Sequence, residues 1–253
     1  MLKKVSRKIT KYLLNKYPNW DISIALRYLA IVNNIKSNFP KGIKILDVGS
    51  GEFGLATYMG KEYEITGTDI DFGKKRQKGF RIVKASAENL PFRDREFDVV
   101  LSVDMMEHLP QNFRQKAVFE MIRVAKSKVY ISCPRGWLSE IIDKLIAKYY
   151  QFTHGSQLGY LNEHQKYGLP IESSLEGDIQ KALKQYKKTA NVKKRGNTNS
   201  ILWLILLLLG FSENKILTNL YHKLLLLIPV LKYFHFWPTY RVSFEFNFNQ
   251  TTQ

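Results

Sequence analysis

A chain of 253 residues is long enough to bury a core of its own, and one domain with an insertion is its simplest organisation. Apolar residues make up 45% of it, which excludes a disordered chain. Its single cysteine, Cys133, excludes a disulfide framework or a thiolate metal site within one chain and fits a reducing cytoplasm. The formal net charge of +17 suits nucleic acid, an anionic membrane face, or a lysine-rich proteome with no specific partner, and charge alone does not choose among them.

Leu2, Val5, Ile9 and Leu13 recur at helical spacing with Lys3, Lys4, Arg7, Lys8 and Lys11 between them. The pattern predicts a basic amphipathic helix, packed on the domain or lying on a membrane surface. No apolar run follows that could form a signal-peptide core. A second helix is expected over Ile22–Asn38, so that residues 1–40 form a helical extension and residues 41–253 the main domain. Beyond Gly42, strands are predicted at Ile43–Val48, Glu64–Asp69, Arg81–Lys84, Phe97–Val103 and Lys128–Cys133, with helices at Gly54–Gly60 and Phe113–Ala125. Apolar strands alternating with helices imply a mostly parallel sheet covered on both faces, a Rossmann-like α/β fold. Residues 135–170 read as irregular around one helix near Leu138–Tyr149. A helix follows over Ser174–Tyr186 with Ser173 or Ser174 as its cap. Thr189–Arg195 and Arg241–Phe248 complete seven strands, the last antiparallel. Between them Ile201–Leu209 and Leu224–Leu231 are apolar, each too short to span a bilayer. With Gly210, Ser212 and Asn214 as a turn they predict an apolar helical hairpin at about 200–237. No acidic residue lies between Ile179 and Ser212, where Lys181, Lys184, Lys187, Lys188, Lys193, Lys194 and Arg195 fall.

The chemistry concentrates in Asp47-Val48-Gly49-Ser50-Gly51-Glu52-Phe53-Gly54, after a strand and opening the next element. Its glycines permit a tight turn and close approach to a ligand. Their spacing also matches the dinucleotide fingerprint, a weak signal alone. Asp69, ending the second strand, can accept hydrogen bonds from both ribose hydroxyls. Asp47 separates the cofactor classes. A pyrophosphate at a helix N-terminus gains nothing from a carboxylate there, whereas a ligand carrying an amino group and a sulfonium does.

The runs ILDVGSGEFG, ITGTDID, SAENLPFRDREFDVVLSVDMMEHL and RVAKSKVYISCP together resemble the class I S-adenosylmethionine-dependent methyltransferases of the methyltransferase-11 type, over about residues 40–135. The resemblance implies S-adenosyl-L-methionine as cofactor. It implies that Asp47, Gly49, Ser50 and Gly51 form the methionine and ribose end of the site, with Asp69 on the ribose and Ile70 on the adenine. Ser86 and Ala87 would flank the adenine edge, and Ser102 and Asp104 the methionine carboxylate or methyl. Ser86 departs from the Asp common in that family, and its hydroxyl can still accept a hydrogen bond.

Asp104-Met105-Met106-Glu107-His108 is similar to the acid-x-x-Glu-His run with which some O-methyltransferases hold a divalent ion. Glu107 and His108 are expected instead to brace the turn after the fourth strand, and no metal is expected. His108, His154 and His164 are the candidate general bases. The expected function is methyl transfer to a small-molecule or lipid-linked acceptor, a lipid or lipid-linked glycan, by a cytoplasmic enzyme peripheral to an anionic membrane. The rivals are an RNA or protein methyltransferase, for which no nucleic-acid module or Asn-Pro-Pro-Tyr run is present, and a non-catalytic binding module of the same fold.

Overall fold

The computed structural model describes residues 8–249 apart from 10, 14, 18, 19, 53 and 74–79. Helix α1 (Ile22–Asn38) starts at Asp21, whose side chain accepts from the Ser23 and Ile24 amides. Its buried face presents Ile22, Ala25, Leu26, Leu29, Val32 and Ile35, a helical repeat of apolar residues that packs onto the sheet. Leu13 is buried and Ile9 half-buried in the same cluster, so this part of the first apolar stripe packs on the body. Leu2 and Val5 lie outside the described residues.

Among the described residues, seven strands form one sheet: β1 (Lys44–Val48), β2 (Glu64–Asp69), β3 (Arg81–Lys84), β4 (Phe97–Val103), β5 (Ala125–Pro134), β6 (Ala190–Asn199) and β7 (Thr239–Phe248), in the order β3-β2-β1-β4-β5-β7-β6. The pairings β1–β2, β1–β4, β2–β3 and β4–β5 are parallel, while β7 runs antiparallel to both β5 and β6. The expected Rossmann-like sheet is present. Strand alternation divides the core between its two faces. Leu46, Val48 and Val100 meet α2 (Gln111–Val124) and α5 (Glu172–Gln185) on one side. Ile45, Val99, Leu101 and Val103 meet α1 on the other.

Further helices are α3 (Gly136–His154), α4 (Gly159–Tyr167), α6 (Ser200–Gly210), α7 (Lys215–Lys223) and α8 (Ile228–Leu231). Several differ from the sequence expectation. The helix expected over Gly54–Gly60 is one 3-10 turn, Leu55–Thr57, preceded by Gly54 in a non-helical conformation. The segment expected to be irregular holds α3 and α4. Their break is a left-handed Gly155, which ends α3 with its amide on the Gln151 carbonyl. Helix α5 begins after Ile171, and neither Ser173 nor Ser174 caps it. The apolar stretch after β6 is α6, α7, a 3-10 turn at Leu224–Leu227, and α8. Trp203, Leu206 and Leu207 of α6 are buried, while Ile201 and Ile205 face outward. No helix among the described residues is long and apolar enough to cross a membrane.

Candidate cofactor and acceptor site

Strand order reverses between β1 and β4, the switch point where ligands bind at the carboxyl ends of the strands in open α/β sheets. A cavity of about 550 Å³ opens there. Gly49, Thr68, Asp69 and Ile70 line it from the ends of β1 and β2, and Ala85, Ser86 and Ala87 from the end of β3. Asp104, Met105 and His108 contribute the end of β4, Phe113 the start of α2, and Glu163 and Tyr167 come from α4. The volume suits a cofactor-sized ligand.

The turn after β1 depends on two glycines in left-handed conformation, Gly49 at φ +74° and Gly51 at φ +55°. A Cβ on Gly49 would stand 2.5 Å from Met105 Cγ, so only glycine lets β1 pass the β4 loop here. The Gly51 amide donates to Asp69 Oδ2 at 2.9 Å and the Asp71 amide to Oδ1 at 3.2 Å. These bonds fix the carboxylate, and each oxygen keeps a lone pair for a hydroxyl. Ile70, an apolar side chain beside it, is 66% exposed.

Asp47 sits behind the turn rather than on the groove wall. It is 1% exposed, and its Oδ2 accepts from the Leu55 amide at 2.6 Å. Burial pushes its carboxyl up to about 7, the Leu55 amide opposing and the charge of Asp69 adding to the rise. Its Oδ1 has no hydrogen-bond partner among the described residues. Ser50 and Ser102 are also buried, their hydroxyls without a hydrogen-bond partner among the described residues, and neither they nor Gly51 line the groove.

Asp104 leaves β4 at φ +53° and is held from two distant elements. Arg241 Nε of β7 donates to both of its oxygens, at 2.6 and 2.9 Å, and Arg27 Nη1 of α1 lies 3.1 Å away. Burial opposes ionisation here, but the charges of Arg241 and Arg27 outweigh it and hold the carboxyl below the usual range. Neither arginine was visible as a site residue in the sequence, because each lies on an element read only as packing.

The 3-10 turn Met106–His108 carries Glu107 inward to 1% exposure. Burial, reinforced by the charge of Asp104, raises its carboxyl well above the ordinary value. His108 Nδ1 meets Glu163 Oε2 at 2.7 Å, and His164 Nδ1 meets Asp143 Oδ2 at 2.8 Å. The Tyr240 hydroxyl donates to the other Asp143 oxygen at 2.5 Å. Burial and the neighbouring His164 hold the His108 imidazole below its usual range, against the pull of Glu163. The two histidine rings are 4.9 Å apart. The fold thus unites His108 and His164 but not His154, which stands exposed at the end of α3, stacked on Tyr150 at 4.0 Å. Asp143 and Tyr240 escaped the sequence reading. The Glu-His pairs at 107–108 and 163–164 were the available signal.

A methyltransferase-domain family model matches residues 46–133. The chain is 29% identical over 153 residues to a sarcosine/dimethylglycine N-methyltransferase of Aphanothece halophytica, covering 51% of this chain and 53% of that one. It is 35% identical over 99 residues to a phthiotriol/phenolphthiotriol dimycocerosates methyltransferase of Mycobacterium tuberculosis, covering 35% of this chain and 36% of the relative. The matched region thus spans about half or less of these relatives. Its fold is similar to that of Phospholethanolamine N-methyltransferase 2 of Haemonchus contortus, solved with phosphomonomethylethanolamine and S-adenosylhomocysteine. That likeness has a TM-score of 0.55 at 16% identity, over 94% of this chain and 59% of that one. Residues 46–133 match a methyltransferase domain, and over that region the chain is similar to the class I S-adenosylmethionine-dependent methyltransferases.

Proposed function

We propose that the protein transfers a methyl group from S-adenosylmethionine to a lipid or lipid-linked glycan at the cytoplasmic face of an anionic membrane. The groove at the switch point is the observation that carries the methyl transfer. Its size fits the cofactor, and its walls fit the cofactor's parts. Asp69, fixed by two amides, accepts the ribose hydroxyls. Ile70 lies against the adenine face, and Ser86 and Ala87 bound its edge. Gly49 leaves room for the chain of the ligand, and Asp104, locked by Arg241 and Arg27, gives the methionine end a rigid wall. When bound, the cofactor supplies a methyl already activated on a sulfonium. Alignment of the acceptor is then much of what the protein must add.

The lipid acceptor rests on a separate feature. The relatives' names point to chemically different acceptors, so the surface of this chain carries that reading. On α7, α8 and the loop to β7, Ile216, Val230, Tyr233 and Trp237 are 77%, 58%, 70% and 81% exposed. Lys215, Lys223 and Lys232 stand among them in sequence. Exposed aliphatic and aromatic side chains interleaved with lysines suit the headgroup boundary of an anionic membrane.

Calorimetry with S-adenosylhomocysteine tests the groove. The wild-type protein is expected to bind one equivalent, and Asp69→Ala to weaken binding by about 1–3 kcal/mol, the worth of hydrogen bonds to a charged group. Unchanged affinity in a folded Asp69→Ala variant would remove this assignment. Incorporation of a labelled methyl group into a lipid extract, compared with RNA and soluble small molecules, tests the acceptor.

A further inference from the structure

Glu107, His108 and His164 converge from the turn after β4 and from α4, and one ligand-type atom of each lies within 4.8 Å of the others. Glu107 is 1% and His164 7% exposed. Glu107 Oε2 and His164 Nε2 nevertheless have no hydrogen-bond partner among the described residues. Buried polar atoms are almost always satisfied, so two orphans in one cluster call for a missing partner.

The outer contacts narrow what that partner is. Asp143 Oδ2 takes Nδ1 of His164 at 2.8 Å, and Tyr240 in turn holds Asp143. In the neutral imidazole whose Nδ1–H donates to that carboxylate, Nε2 presents its lone pair. Glu163 engages His108 in the same way, at 2.7 Å. Histidines oriented by carboxylates on the opposite ring nitrogen are the usual surroundings of metal-bound imidazole. His164 Nε2 and Glu107 Oε1 are 4.0 Å apart. Two ligands of one ion at about 2.0–2.2 Å each lie about 3–3.5 Å apart, so side-chain shifts of roughly 1–2 Å bring the three atoms onto one ion.

We propose that Glu107, His108 and His164 bind one divalent transition-metal ion of the zinc, manganese or iron class. A set of two imidazoles and one carboxylate suits these ions better than magnesium or calcium, which favour oxygen alone. Asp104, which the sequence pattern grouped with Glu107 and His108, is not a ligand. Arg241 and Arg27 already occupy it. His164, 56 residues further on in sequence than His108, takes its place. This proposal stands in place of the expectation that no metal binds and that Glu107 and His108 only brace the turn. Three protein ligands leave open positions on the ion. His108 and Glu163 line the groove, and, on the reading of that groove as the cofactor site, an acceptor oxygen would take an open position beside it.

The test uses the full chain, stripped with a chelator and titrated with Co²⁺, whose visible absorption reports inner-sphere binding. The expected result is one saturable equivalent per chain, with affinity falling at least tenfold in each of Glu107→Gln, His108→Gln and His164→Gln. Asp143→Asn, which alters only the outer contact, is expected to weaken binding roughly 10- to 100-fold. His154→Gln is expected to bind as wild type. Thermal melts establish that each variant is folded. Absence of saturable Co²⁺ binding overturns the proposal, as does one-to-one binding that survives in folded Glu107→Gln and His164→Gln. S-adenosylhomocysteine is titrated into the same stripped samples. Binding of it without Co²⁺ binding defeats the metal site alone, and binding of Co²⁺ without it defeats the cofactor reading alone.

Discussion

Asp47 shows how burial changes what a motif residue does. Its carboxyl, raised to about 7 by desolvation, is compared with 3.8 for the same group in water. The folded state therefore keeps a proton that the unfolded chain releases, and stability falls as pH rises from about 4 to about 7. Above that window the loss is complete and constant. Asp47→Asn removes the titration and can still accept from the Leu55 amide. Its stability relative to wild type is expected to grow across the window, by at most about 4 kcal/mol at about 1.36 kcal/mol per pKa unit, and to level off beyond it. Denaturant unfolding of both proteins at a series of pH values measures this. A difference that stays constant with pH would mean that Asp47 is ionised in the fold. Arg241 is the counterpart on the other side of the groove. It is 1% exposed and paired with Asp104, so Arg241→Met leaves a buried carboxylate with Arg27 alone. A stability loss of about 3–5 kcal/mol is expected, as for other broken buried pairs. A variant melting within a degree of wild type would show that Arg27 suffices.

At the scale of elements, α1 is tied into the molecule at its first turn. Asp21 Oδ1 caps the helix by accepting from the Ser23 amide at 2.8 Å and the Ile24 amide at 3.1 Å. Its other oxygen accepts from the Tyr221 hydroxyl of α7 at 2.7 Å. Asp21→Ala removes both functions and is expected to cost about 1–2 kcal/mol, the range for lost caps. That corresponds to roughly 2–4 °C in Tm for each kcal/mol in a chain of this size. Tyr221→Phe removes only the link between helices and is expected to lower Tm less. The reverse order would make the α1–α7 contact, not the cap, the stabilising feature. Strand β6 makes a different point. Its last four residues, Gly196–Asn199, carry no apolar alternation, so the sequence pattern ends the strand at Arg195. It continues because Gly196, Asn197 and Asn199 find partners on β7 at Val242, Arg241 and Thr239. A strand boundary is set there by its neighbour rather than by its own side chains.

Over the whole molecule, charge and apolar surface work together. With a net charge of +17, the protein is expected to float with anionic vesicles at low salt and to release as salt screens the attraction. The variants that test the apolar contribution must come from exposed positions. Ile216→Asp and Leu226→Asp, at 77% and 41% exposed, are expected to reduce flotation while leaving Tm nearly unchanged. Leu206→Asp is unsuitable, because Leu206 is fully buried and the change would disrupt the core. Flotation equal to wild type in both surface variants, or none with anionic vesicles at low salt, would remove the membrane from the proposed function.

The local pattern of the chain sufficed for α1 and for the first five strands. Long apolar periodicity and glycine turns act over a few residues and are written directly into the sequence. The glycine turn after β1 and the acid at the end of β2 were legible for the same reason. What only the tertiary structure decided is which side chains meet. Arg27 and Arg241 close on Asp104, and Asp143 and Tyr240 hold His164, from elements far apart in the chain. The same packing turned Asp47 away from the groove, left His154 outside it, and divided α6 between a buried and an exposed face. No spacing encodes such contacts, because they depend on how the helices seat on a sheet whose strand order no single segment specifies.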